Sequence, residues 1–212
     1  MLCEPGRGAI EIRSGHRKFA DLGLDPSAVA FAMNAGMFDL AGKPIGLMIE
    51  RGRQLHALNT RDGGGNFHLK PNGVFLVRQN GRAEVVTSEN YRPGPDIAFA
   101  TQSGPMLLID GKTNPLFDAD GVSRYVRNGV GVDYKGRPHF VISLDVVSFG
   151  KMARFFRDRV HARDALYFDG SVSSLWSPAD ARMDNFTELG PMLVVFNPRA
   201  ASAPGRAGRA TP

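Results

Sequence analysis

Hydrophobic residues in this chain fall mostly in short runs, broken by Gly, Pro, Asn and Asp about every ten residues, which is the spacing of a strand-rich domain. Strands are expected at Ala28–Met33, Gly46–Ile49, Gly73–Arg78, Ala83–Thr87, Ile97–Thr101, Met106–Ile109, Gly129–Val132, His139–Leu144, Ala165–Phe168 and Met192–Phe196. Asn80-Gly81 and Asp110-Gly111-Lys112 stand at the ends of such runs. These dipeptides tolerate positive φ, so hairpins are expected there. One helix is expected over 149–162, where Phe149, Met152, Ala153, Phe156 and Val160 recur at helical spacing with Lys151, Arg154, Arg157 and Asp158 between them. A weaker pattern at His16–Leu22 allows a second, shorter helix. The strand–helix–strand order around Phe149 predicts a right-handed parallel crossover, with Asp145 and Asp169 at the carboxyl ends of its strands. The fold class is therefore α/β in the α+β sense: a strand-rich mixed sheet with few helices in a single domain. Its expected bounds are 29–198, preceded by a partial or irregular segment at 1–28. The Ala, Ser, Pro, Gly and Arg of 199–212 are expected to form a disordered tail.

Composition narrows the function classes. Apolar residues make up 42% of the chain and aromatics 9%, enough to bury a core and too many for global disorder. No apolar run approaches the ~18–20 residues that a bilayer span needs, so no membrane span is expected. Lys and Arg number 26 against 21 acids, but Arg199, Arg206 and Arg209 lie in the expected tail. No basic cluster marks an element for nucleic acid, which is not expected as a partner. The single Cys3 excludes an internal disulfide framework and a Cys-based zinc site. His16, His56, His68, His139 and His161 lack metal-ligand spacing, so no metal and no cofactor is expected. Asp118-Ala119-Asp120-Gly121 opens like a calcium loop but lacks the later ligands, and is read as a turn. The opening residues, Met1 to Arg7, have no apolar run of the secretory type.

Candidate chemistry lies at strand ends. Asn34-Ala35-Gly36-Met37-Phe38 leaves an apolar strand with an amide and a glycine that could face a ligand, or make an ordinary turn. Asp62-Gly63-Gly64-Gly65-Asn66 is a lid or an anion-cradling loop, without the Lys-Ser/Thr ending of a nucleotide-binding loop. Gln102-Ser103-Gly104-Pro105 places polar groups at a sharp bend. No Gly-x-Ser-x-Gly elbow positions a nucleophilic serine. Arg127 precedes the strand that ends at Asp133, and Asp169-Gly170-Ser171 follows another. Asp169 at a strand's end suits either catalysis or capping of the turn it begins.

Taken in order, NAGMF at 34–38, GGGNF to PNGVF at 64–75, TQSGPMLL at 101–108, RNGVGVD at 127–133 and ALYFDGSVSSLW at 165–176 resemble the phosphodiester glycosidase family. That family includes an animal enzyme that removes N-acetylglucosamine from a phosphate. The resemblance implies a hydrolase that cleaves a sugar-1-phosphodiester to sugar and phosphate monoester, acting on a phosphorylated carbohydrate or glycan of cell-envelope or exopolysaccharide type. Bacterial relatives of this kind are commonly exported, which implies an exported or periplasmic setting. On this resemblance Asp169 is the expected catalytic carboxylate, with Asp133 or Asp145 as its partner, and Arg127 is expected to grip the phosphate. Asn34, Gly36, Phe38, Gln102, Ser103, Gly104, Gly170, Ser171 and Ser173 are the expected substrate contacts. Where animal members carry a longer glycine run after the acid, this chain has Gly170-Ser171-Val172-Ser173. The alternative is a non-catalytic glycan or cell-envelope binding module, which would need only exposed aromatics such as Phe38, Phe67 and Trp176.

Overall fold

The computed structural model describes residues 1–6 and 8–198, so the expected tail lies outside the described residues. In chain order the first strands are β1 (Leu2–Cys3), β2 (Ile10–Arg13), β3 (Val29–Asn34), β4 (Met48–Glu50) and β5 (Arg53–His56). Next come β6 (Gly73–Arg78), β7 (Ala83–Thr87), β8 (Ile97–Ser103), β9 (Met106–Ile109) and β10 (Lys112–Thr113). Then follow β11 (Asn128–Asp133), β12 (Pro138–Ile142), helix α1 (Phe149–Asp158), β13 (Ala162–Tyr167), β14 (Leu175–Ser177), β15 (Arg182–Met183) and β16 (Met192–Phe196). They form three sheets, ordered β1-β12-β11-β13-β9-β10, β15-β14-β3-β16-β2 and β5-β4-β8-β6-β7.

The strand-rich, few-helix, single-domain expectation holds, with antiparallel pairing between neighbours. Both expected hairpins form, β6 with β7 and β9 with β10. The crossover differs from the expected one. β12 and β13 run in the same direction, but each pairs antiparallel with β11, which lies between them. Segment 1–28 is less irregular than its sequence suggested. Ile10 and Ile12 point into the core, and β2 pairs along β16.

Helix α1 is the one α-helix among the described residues and is shorter than its apolar spacing predicted. Ser148 caps it by accepting a hydrogen bond from the Lys151 backbone N–H, a use of serine that satisfies one orphan amide. Met152, Ala153 and Phe156 form its buried face. Glycines let that face reach the sheet: a Cβ on Gly131 would stand 2.6 Å from Phe156 Cδ1. After Asp158 the chain turns, with His161 at a φ of 54°, and enters β13.

One core joins the three sheets. Phe31 on β3 and Phe75 on β6 each lie 5.6 Å from the ring of Phe140 on β12, and Phe168, just after β13, lies 6.4 Å from Phe75. Burying each such ring contributes roughly 1.5–3 kcal/mol, and the tilted contacts between rings add to it. This aromatic junction fixes the sheets against one another and so aligns their ends.

Candidate active site

The registers bring polar strand ends to one side of the molecule. Asn34 closes β3 opposite Met192, Asn128 opens β11 opposite Ile142, and Tyr167 closes β13 opposite Gly129. Asn128 donates from Nδ2 to Asn34 O at 2.9 Å and to Asn34 Oδ1 at 3.0 Å. Asn34 Nδ2 donates to Asp169 O at 2.7 Å, and the Ser174 N–H donates to Asn34 Oδ1 at 2.9 Å. Ser173 Oγ donates to Asn128 Oδ1 at 3.1 Å and to Val126 O at 3.0 Å. A buried network with every member partnered is rigid, and this one locks two sheets and the 169–174 turn together. Asn34 and Ser173 therefore spend their side chains holding that turn.

Asp169 stands at its start, half-buried. Its Oδ1 accepts the Ser171 backbone N–H at 3.2 Å and the Ser171 hydroxyl at 2.6 Å. Among the described residues, no hydrogen bond reaches Oδ2. Burial pushes this carboxyl above the ordinary range, and the two Ser171 bonds offset the rise only in part. Tyr167 underlies the turn. Its hydroxyl accepts Arg127 Nη1 at 2.9 Å and the Gly170 backbone N–H. Gly170 can have no side chain, since a Cβ would fall 1.8 Å from that hydroxyl. Burial raises the phenol to about 12, with Arg127 opposing, so it stays protonated at neutral pH.

Arg127 is fully buried. Its guanidinium lies 3.7 Å from the centroid of the Phe149 ring, Nε donates to Val147 O at 2.8 Å, and Nη2 donates to Ser123 O at 3.1 Å. No carboxylate makes an ion pair with it among the described residues. The expected grip on a substrate phosphate does not fit this placement, because the guanidinium is enclosed and each of its nitrogens is engaged. It supports Tyr167 instead, and through it the Asp169 turn.

Outside this network, a cleft of about 310 Å³ is lined by Tyr125, Leu144, Gly170, Ser171, Ser173, Arg182 and Phe186, among others. Gly170, Ser171 and Ser173 are three of the expected contacts. Tyr125, Arg182 and Phe186 were not foreseen, nor were the supporting roles of Tyr167 and Asn128. Tyr167 and Asn128 lie inside two of the family-like motifs, but no local pattern marks Arg182.

The other expected residues lie elsewhere. Gln102 accepts the Leu47 and Asn59 backbone N–H groups and donates to Asn59 O and Ser88 Oγ, so its amide is consumed in bracing the third sheet. Ser103 is fully buried at the end of β8, and Gly104 backs onto Asn72 and Phe67. Gly36 packs against Thr101 and Gln102, where a Cβ would stand 2.2 Å from Thr101 Oγ1. Phe38 lies beneath the Arg17 guanidinium, 5.4 Å from its ring centroid. Asp145 is exposed, one residue beyond cleft-lining Leu144.

Asp133 ends β11, five residues and roughly 17 Å along the strand from Asn128, so it cannot partner Asp169. Burial would raise its carboxyl, but the Arg137 and Lys135 N–H groups, the Arg137 guanidinium and His139 outweigh that and hold it at about 2. A lowered folded-state value adds stability above the ordinary 3.8 that is lost as pH falls through about 2. Asp133→Asn is expected to lower neutral-pH stability and flatten its acid dependence over that interval, with per-molecule turnover unchanged; denaturant melts from pH 2 to 7 check this.

Residues 27–200 match the family model described as phosphodiester glycosidase. The chain is 35% identical over 166 residues to "Uncharacterized protein YigE" of Escherichia coli (strain K12), a match covering 78% of this chain and 65% of that protein. It thus spans just under two thirds of that relative's length. The zebrafish N-acetylglucosamine-1-phosphodiester alpha-N-acetylglucosaminidase catalytic domain, auto-inhibited by its pro-peptide, superposes with a TM-score of 0.64 at 15% identity, over 89% of this chain and 73% of that one. A hypothetical protein from Synechocystis gives 0.55 at 14% identity, over 91% of this chain and 58% of that one. At these identities the two structures share the fold.

Proposed function

The chain belongs to the phosphodiester glycosidase family, and on that premise we propose that it hydrolyses the glycosidic bond of a sugar-1-phosphodiester. The products are free sugar and a phosphate monoester. The observation that carries this reading is the Asp169 turn: a half-buried carboxyl with a raised pKa, one oxygen fixed by Ser171 and the other without a hydrogen-bond partner among the described residues, at the edge of a cleft. The substrate class we favour is a phosphorylated glycan of cell-envelope or exopolysaccharide type.

In this reaction the C1–O bond breaks, its electron pair stays on the phosphate oxygen, and the oxygen of water bonds to C1. The leaving phosphate needs charge neutralisation more than protonation. What remains is to shield the cationic carbon and to take the water's proton, the work of a positioned carboxyl. Asp169 has that role in our reading. Asn34, Tyr167 and Gly170 hold it in place, Ser171 meets a sugar hydroxyl, and Asp145 is the second carboxylate near the cleft. A simple glycan-binding module would rest on exposed aromatics: Phe67 and Trp176, two of those foreseen for it, are buried at 2% and 4% exposure, and the exposed rings Tyr125 and Phe186 instead line the cleft beside the Asp169 turn.

Purified protein offered a panel of sugar-1-phosphodiesters is expected to release free sugar from at least one, detected by a reducing-sugar or coupled assay. Folded protein that turns over none of the panel would overturn the reading.

A further inference from the structure

The burial of Arg127 leaves the phosphate of the proposed substrate without a cationic partner, and the cleft beside Asp169 supplies another. Arg182 lines that cleft together with Gly170, Ser171 and Ser173, and its side chain is 30% exposed. Among the described residues, it is the one basic side chain in the lining. Its orientation is fixed from behind. Asp184 receives Nε at 3.0 Å and Nη2 at 2.6 Å, and is itself held by the Leu175 backbone N–H at 2.9 Å. Arg182 lies on β15, paired with Ser177 of β14, and β14 in turn pairs with β3, the strand that ends at Asn34. The guanidinium is therefore anchored to the same framework that holds Asp169. Nη1 has no hydrogen bond among the described residues.

We propose that Arg182 receives the phosphate of the substrate through Nη1, with Asp184 serving to aim the guanidinium. The proposal rests on the phosphodiester reading of this site. A guanidinium is always charged and presents a planar fork suited to phosphate oxygens, and a carboxylate behind it limits the rotamers it must give up on binding. The chemistry asks for a cation on this side. Cleavage leaves the bond's electron pair on the phosphate, so negative charge grows there as C1–O lengthens, and a donor already in place is worth most at that point. The walls of the cleft beyond Arg182 are uncharged: Tyr125, Leu144 and Phe186 stand 56%, 71% and 70% exposed. A phosphate entering here meets one cationic group, with Ser143, Ser171 and Ser173 and uncharged walls around it.

The experiment compares wild type, Arg182→Gln and Arg182→Lys on two substrates of the same sugar, a 1-phosphodiester and an aryl glycoside that carries no phosphate. Inorganic phosphate binding is measured alongside by calorimetric titration. Arg182→Gln is expected to lower kcat/KM for the phosphodiester about 10- to 100-fold, to leave the aryl glycoside within about twofold, and to weaken phosphate binding in step. Arg182→Lys is expected to recover part of the loss, since it keeps the charge but not the fork. Equal loss on both substrates would make Arg182 a support of the β14–β15 ladder and overturn the proposal, as would phosphate binding that the Gln variant leaves untouched. Should wild type cleave neither substrate yet bind phosphate through Arg182, the reaction assignment fails and the phosphate site stands.

Discussion

Asp169→Asn is expected to abolish most turnover while keeping, or raising, thermal stability at neutral pH. Removing a positioned acid or base costs typically 10²–10⁴-fold in rate, so kcat on a cleaved sugar-1-phosphodiester is expected to fall by about 10²-fold or more. Stability moves the other way for an electrostatic reason. Burial raises the folded-state pKa of Asp169 above its ordinary value. Between the unfolded and folded values the folded chain holds a proton that the unfolded chain has lost, so stability falls as pH rises through that interval. Above it the ionised carboxylate remains a cost to the fold. Asparagine lacks the charge but keeps an oxygen that can accept the Ser171 N–H and hydroxyl, the bonds that form the turn. Measuring kcat and melting temperature from pH 5 to 8 checks both halves. An unchanged rate would move the carboxylate role elsewhere, and a large fall in melting temperature would make Asp169 a structural cap.

Arg127→Lys is expected to be the most destabilising conservative change at this end of the molecule. Lysine keeps the charge but cannot lie flat on Phe149, nor reach Tyr167, Val147 and Ser123 together as the guanidinium does. The charge would stay buried with fewer partners. Breaking a buried charged arrangement costs about 3–5 kcal/mol, which in a domain of this size lowers the melting temperature by roughly 6–20 °C. Turnover per folded molecule is expected to fall less than in Asp169→Asn, because Arg127 acts through Tyr167 rather than on the phosphate. This reverses the role that the family resemblance implied, in which Arg127 grips the phosphate. Thermal melts and kcat/KM corrected for folded fraction separate the two cases: an unchanged melting temperature with lost turnover would restore the phosphate role.

That reversal has a physical origin. Whether an arginine is a grip or a scaffold depends on what covers it, and here the adjoining 123–126 segment is joined by Phe149 on the helix and Tyr167 on β13, both distant from Arg127 in the chain. The same holds for Asp133. Its motif places an acid on the strand that Arg127 introduces, but strand rise carries it to the far end of the molecule, where a tight turn and Arg137 claim it. Gln102 stands at a sharp bend in the sequence, but the Asn59 backbone from another loop occupies its amide.

Local chemistry was enough for the rest. Alternating and continuous apolar runs announced most of the strands, Asn-Gly and Asp-Gly announced two hairpins, and the three- to four-residue spacing from Phe149 announced the helix, because each depends on neighbours a few residues away. The short strands β1, β2, β5, β10, β14 and β15 carry no such signal, since two to four residues hold too little pattern to stand apart from a loop. The sequence by itself determined a strand-rich single domain and the motif order of its family, including the turn at Asp169. Only the tertiary structure decided which polar residues meet. The aromatic junction of Phe31, Phe75, Phe140 and Phe168 sets the three sheets against one another. Their alignment then buries Arg127, sends Asp133 away and brings Arg182 to the cleft that Gly170 and Ser171 line, an arrangement of distant segments that no local periodicity encodes.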